Sequence, residues 1–343
     1  MDILHSSIRR FAIAAGLPFL RLMMDWCVIK KKKNGISLKI RKNKMFQVLT
    51  YHRVGSQVDG IFDPIPVDVF EQQICCLAAH YNVLNASDAW AMTQKGCLPD
   101  KAIVITLDDG YRDNYDFAFP VLKKYDLPAT LFLTTGPLEG MGPLWHDQVF
   151  TAFARTRKRA YILNGTSNSL ATLKDRQTAA MEFSSYARTL DENKLKASVS
   201  LLMKDLNVTI EQVVSRCPML DWQQVREMSE SGIEIGAHTV THPIMSRLPY
   251  ERQMEEIAQS IEGIFRNVGK RTTVFSYPNG RDQDFNEATL EILKTLGIKA
   301  SFTTNFGGNS FDCDPYFLKR GAAWSEDIEV FSLQLIWNRI VNQ

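Results

Sequence analysis

The chain has 343 residues, of which 45% are hydrophobic and 23% charged, a globular balance that excludes disordered and collagen-like classes. The formal net charge is only +2, yet residues 1–44 hold eleven Lys/Arg against Asp2 and Asp25, leaving 29 basic and 36 acidic residues beyond them. A basic end on an acidic body points to an anionic surface as partner; the body carries no nucleic-acid motif, so that surface is taken to be a membrane. The six cysteines fall into neither metal-ligand nor paired spacings, which favours a reducing compartment.

At the amino-terminal end, Phe11 to Leu20 is uncharged and apolar, Leu22 to Ile29 is apolar apart from Asp25, and Lys30 to Lys33 close the segment. Arg21, Asp25 and Pro18 interrupt the run of about eighteen apolar residues that a spanning helix requires. Arg9-Arg10 before an apolar stretch has the form of an export signal, but no small-x-small cleavage site follows Leu20. The segment 1–44 therefore reads as a basic, amphipathic, membrane-associating region, with Phe19 and Trp26 at the boundary and the lysines on anionic headgroups. A helix packed on its own domain, or a cleaved export signal, is the alternative.

The body, 45–343, alternates strand-like and helix-like pieces as a βα fold does. Strands are expected at Phe46–Tyr51, Ile103–Leu107, Thr130–Leu133, 233–236, 273–276 and 299–302. Helices are expected at Val67–His80, Tyr115–Tyr125, from Asp221-Trp222-Gln223-Gln224 (a capping box) to Ser231, and then over 249–267, 286–296 and 325–340. Residues 147–220 are polar and helix-prone without a clear strand, and read as an insertion over the mouth of a barrel, a lid or substrate collar. No internal repeat is present.

Chemistry gathers at two strand ends. Ala102 to Leu107 is a continuous apolar run that stops at Asp108-Asp109-Gly110, and catalytic groups of α/β folds collect at such carboxyl ends. The second cluster, His238-Thr239-Val240-Thr241-His242, likewise follows a short strand, Gly232-Ile233-Glu234-Ile235-Gly236. Two histidines at i and i+4, on a helical turn, can point at one metal ion. With a carboxylate they make the three-ligand face of a catalytic zinc site. One of the two acids can bind metal while its neighbour acts as base. His146, in Leu144-Trp145-His146-Asp147, is a further candidate: with Trp145 it can line a sugar pocket, or it anchors the loop before the insertion.

Asp108-Asp109-Gly110, His238-Thr239-Val240-Thr241-His242 and Tyr277-Pro278-Asn279-Gly280, in this order, resemble the polysaccharide deacetylase family, over about residues 45–325 outside the insertion. The resemblance implies a distorted (β/α)7 barrel and a metal-dependent N-deacetylase of amino sugars. It makes Asp108 the general base and Asp109, His238 and His242 the metal ligands, with zinc first and cobalt, nickel or iron also suited. The late Leu-x-His motif that supplies the general acid in most members is absent. Instead Leu49-Thr50-Tyr51-His52-Arg53-Val54 resembles the circularly permuted poly-N-acetylglucosamine deacetylases, and the acid role passes to His52. Ser276 stands where many members have an arginine that orients the base, and Arg320, in Phe317-Leu318-Lys319-Arg320, is the candidate replacement. The Asn279 main-chain N–H is the candidate oxyanion donor, and Tyr51, Trp145, His146 and Tyr277 are assigned to the substrate. A basic, membrane-associating member suggests a lipid-linked cell-envelope saccharide, met at the cytoplasmic face of the bacterial inner membrane. Export to a finished polymer, and a non-sugar amide as substrate, are the alternatives.

Overall fold

The computed structural model describes residues 44–341 except 57, 58, 164 and 324. The expected membrane-associating segment thus lies outside the described residues, Lys44 apart. Its centre is a parallel sheet built from β1 (Phe46–Tyr51), β2 (Asn82–Leu84), β3 (Ala102–Asp109), β4 (Thr130–Leu133), β7 (Glu234–Ala237), β8 (Val274–Ser276), β9 (Ala300–Phe302) and β10 (Gly321–Ala322). The order is β10-β1-β3-β4-β7-β8-β9, with β2 added beside β3. The seven strands of that path curl into a distorted barrel. Its seam is closed by the segment before β10, where Leu318 bridges Phe302 of β9 while Gly321 and Ala322 pair with Leu49 and Thr50 of β1.

The helices are α1 (Val67–His80), α2 (Ala86–Gln94), α3 (Phe119–Lys124), α8 (Trp222–Glu230), α9 (Tyr250–Val268), α10 (Glu287–Thr295) and α11 (Ile328–Val341). Successive strand residues face opposite sides, and the two faces differ in role. Phe46, Val48, Val104, Phe132, Val274 and Phe302 form one apolar cluster that fills the barrel interior, floored by Trp90 of α2. Leu49, Ile103, Ile105, Leu131, Ile235 and Phe275 pack outward against the helices. Gly236 makes room for this interior, since a Cβ there would lie 2.4 Å from the Phe132 ring.

Between β4 and β7 the chain forms the insertion: α4 (Trp145–Arg155), the antiparallel hairpin β5 (Ala160–Leu163) and β6 (Thr166–Ser169), then α5 (Leu173–Ala187), α6 (Glu192–Asp205) and α7 (Ile210–Arg216). The expectation of no strand here is corrected. The hairpin turns tightly around Gly165 (φ +79°) and is mostly exposed, so it lacks the apolar alternation that marks a half-buried strand. The insertion has its own apolar core, including Trp145, Val149, Phe153, Phe183 and Val199. No helix among the described residues is long and apolar enough to cross a membrane.

Candidate active site

The two acids at the end of β3 part company at once. Asp108 follows Val104 and Thr106 on the interior face, where Arg320 rises through the barrel to meet it. The Arg320 Nη1 lies 2.8 Å from Asp108 Oδ2 and 2.9 Å from Oδ1. The guanidinium is itself fixed: Nε donates to the Thr303 carbonyl (2.9 Å) and Nη2 to Ser276 Oγ (2.9 Å), while Ser276 Oγ donates to Asp108 Oδ2 at 3.4 Å. Both partners are buried. Ser276, which holds the arginine position of the family motif, therefore connects Asp108 to an arginine that immediately precedes β10.

Strand alternation would turn Asp109 toward the helices. It instead adopts a left-handed backbone (φ +77°), followed by Gly110 (φ +93°), and the alternation ends there. Asp109 Oδ1 stands 3.5 Å from His238 Nε2 and 3.5 Å from His242 Nε2. Among the described residues these three form the one group able to hold a metal ion, their donor atoms lying within 4.8 Å of one another.

The His238–His242 segment is a loop, which corrects the expected helical turn. Thr239 (φ +66°) and His242 (φ +57°) are both left-handed, a conformation few side chains adopt unaided. Glu256, from α9, fixes it: its Oε2 accepts the N–H groups of Val240 and Thr241, each at 2.9 Å, and its Oε1 accepts the Thr241 hydroxyl at 2.8 Å. The His242 N–H donates to Thr239 Oγ1 (3.1 Å), and Trp145 Nε1 donates to the His242 carbonyl (3.0 Å). His238 Nδ1 lies 2.7 Å from the Ser276 carbonyl. A carbonyl only accepts, so Nδ1 carries the proton and Nε2 turns its lone pair toward Asp109.

The donor set fits a divalent cation. Asp109 Oδ1 is buried without a hydrogen-bond partner, an arrangement that is costly unless another group completes it. Burial alone would raise the Asp109 carboxyl, but the facing His238 imidazole, in a pocket ringed by imidazoles, holds it well below the ordinary carboxylate range. Burial, with His146 beside it, pushes His242 well below the ordinary imidazole value. Burial also lowers His238, but Asp109 and Asp108 outweigh it and raise that ring. An anionic Asp109 and a neutral His242 are the forms that ligate metal.

Register brings His52 in from β1: Tyr51 pairs with Leu107, so His52 stands level with Asp108. It is half-buried, and its main-chain carbonyl accepts from Asn114 Nδ2 at 2.8 Å. Asn279 follows β8 in a left-handed turn (φ +60°) closed by Gly280, with its carbonyl accepting from the Thr304 hydroxyl at 3.0 Å. His146 lies inside the site as well, with Nε2 3.9 Å from Asp109 Oδ2 and its ring 4.7 Å from that of His242.

Three of the four substrate assignments change. Tyr51 and Tyr277 share the outward parity of Leu49 and Phe275 and are core residues. The Tyr51 hydroxyl donates to Gln73 at 2.7 Å, and that of Tyr277 to the Tyr316 carbonyl at 3.0 Å beneath a stacked Phe285. Trp145 is buried and braces His242 from behind. Residues the sequence reading missed are Glu256, Tyr111 and Asp147. Tyr111 donates to Asp147 Oδ1 (2.9 Å) and lies 3.1 Å from His146 Nε2. An acid midway along an otherwise ordinary amphipathic helix was the only sign of Glu256.

Known proteins resemble this chain in sequence and in fold. The sequence profile of the family described as "Polysaccharide deacetylase" matches residues 95–149 and 165–301. The Bacillus subtilis protein YxkH, which bears the same family's name, is 26% identical over 297 residues, 85% of this chain and 77% of its own. A poly-beta-1,6-N-acetyl-D-glucosamine N-deacetylase of Staphylococcus epidermidis is 36% identical over 113 residues, 29% of this chain and 38% of its own. In fold, the chain is similar to the Streptococcus pyogenes deacetylase PplD, solved with acetate (TM-score 0.55, 22% identity, 81% of this chain and 92% of that one). It is similar also to IcaB from Ammonifex degensii (TM-score 0.55, 20% identity, 86% and 97%).

Proposed function

This chain belongs to the polysaccharide deacetylase family, and from that premise we propose that it removes the N-acetyl group of an amino sugar in a lipid-linked cell-envelope saccharide. The observation that carries the chemistry is the divided acid pair: Asp108 held by Arg320 at 2.8 Å, and Asp109 facing two imidazole nitrogens at 3.5 Å. Two neighbouring carboxylates with such different partners suit two different roles.

Asp109, His238 and His242 would hold the ion, zinc being favoured by two imidazoles and one carboxylate. When bound, the ion supplies Lewis acidity to the acetyl carbonyl and a lowered pKa to water. Asp108 takes the proton of the water that attacks the amide carbon, with Arg320 and Ser276 keeping its carboxylate aimed. The Asn279 N–H donates to the oxyanion that develops, a contribution of roughly 10²–10³ in rate for one such donor. His52 gives a proton to the departing amine; transfers of this kind contribute about 10²–10⁴.

The lipid-linked substrate and a peripheral position on the cytoplasmic membrane face are supported by the basic, apolar composition of residues 1–44. The test is acetate release by full-length, zinc-supplemented protein over N-acetyl monosaccharides, oligomers and lipid-linked saccharides, beside Asp108→Asn and His238→Ala. Release from the lipid-linked class alone, lost in both variants, is the expected result. Equal release from free oligomers would remove the lipid requirement, and release from none would point to a non-sugar amide.

A further inference from the structure

The loop between His52 and α1 carries one feature the chemistry above does not use. Phe62 stands in a left-handed conformation (φ +55°), which is a genuine outlier for a bulky residue and persists only where surroundings enforce it. The enforcement is visible. Asp59 receives Arg216 Nε and Nη2, each at 2.9 Å, while Arg216 Nη2 also donates to the Ile61 carbonyl. Asp63 accepts from the N–H groups of Asp59 (3.1 Å) and Gly60 (2.8 Å), and Gln177 Nε2 donates to the Gly60 carbonyl (2.8 Å). Ile61 is buried in the core of the insertion, so the loop is anchored without help from its neighbour's ring.

That ring is only half-buried. It stacks on Phe150 of α4, with centroids 5.0 Å apart and planes at 22°. Its centroid lies 6.0 Å from His52, 6.3 Å from His146 and 6.4 Å from Tyr111. An apolar plane is thus held beside the group that protonates the departing amine. Since the amine stays on the sugar, what lies next to His52 at that moment is the pyranose ring and not the acetyl methyl.

We propose that Phe62, backed by Phe150 and aimed by the Arg216–Asp59 clamp, is the platform on which the apolar face of the amino sugar stacks. The assignment rests on the deacetylase reading for the identity of its ligand. It makes the insertion a direct participant in substrate choice, because α7 supplies Arg216 and α4 supplies Phe150.

The experiment separates the two. Full-length Asp108→Asn protein, loaded with zinc, is titrated calorimetrically with an N-acetylglucosamine tetramer, alone and combined with Phe62→Ala or Phe62→Tyr. Loss of one aromatic contact should weaken Kd about tenfold in the alanine variant, with the tyrosine variant within about twofold of the parent. An unchanged Kd in Phe62→Ala, no binding by the parent, or affinity losses that track melting temperature across both variants would overturn the platform. Acetate release by the wild-type protein from the tetramer and from a lipid-linked N-acetyl saccharide tests the deacetylase reading by itself. Binding that depends on Phe62 without release from either substrate would sink that reading and leave the platform standing.

Discussion

Asp108 and Asp109 differ by one position in sequence and by everything in environment, and substitutions should behave accordingly. Asp108→Asn removes the proton acceptor while leaving the Asp109, His238 and His242 face intact; kcat should fall about 10²–10⁴ with zinc affinity retained, measured by calorimetry. Retained turnover would end the base assignment. Arg320→Ala leaves Asp108 as a buried charge without its partner. Breaking such a pair costs about 3–5 kcal/mol, so the midpoint of denaturant unfolding should drop sharply, with activity lost even where the protein remains folded. A variant as stable as the parent would mean that water replaces the guanidinium. Arg320 was reached only as a candidate for the arginine missing at Ser276, since no local pattern joins it to Asp108, 212 positions away. Tyr51 and Tyr277 were assigned to the substrate although the alternation in β1 and β8 places them with Leu49 and Phe275 in the core.

At the scale of elements, long or strongly bounded segments were readable and short ones were not. The β3 run ends where its acids begin, and the capping box at Asp221 opens a helix at Trp222 with Asp221 accepting from Gln224 N at 2.9 Å. The three-residue β2 and the exposed β5–β6 hairpin carry too little apolar pattern to register. The histidine loop escaped for another reason. Its shape is set by Glu256 from a different element, not by its own residues. Glu256→Gln would set an amide N–H₂ against N–H donors at one of the two oxygens. Zinc affinity should then fall about 10–100-fold, as for other residues that support metal ligands, while far-UV circular dichroism stays that of the parent. Undiminished affinity would show that Trp145 and Thr239 suffice to hold His242.

At the scale of the molecule, the insertion and barrel meet through a charged contact. Burial would raise the Asp59 carboxyl, but the hydrogen bonds and charge of Arg216 outweigh it and hold the group below its ordinary value. A depressed folded-state pKa contributes stability that is full above the unfolded value, about 3.9, and is lost as pH falls below it. The melting temperature should therefore decline on acidification below about pH 4, and decline less steeply in Asp59→Asn. Identical slopes would mean that the clamp adds nothing to stability.

The seam of the barrel has a consequence for biosynthesis. A ribosome adds about 5–20 residues per second, so Asp108 is made roughly 10–40 s before the arginine that neutralises it, 212 positions on. Through that interval the interior holds an acid with no counter-charge, and closing strands over it is unfavourable. The bridge from β9 to β1 can form only once the segment carrying Arg320 has been made. The segment that closes the seam is thus also the one that delivers the counter-charge of Asp108.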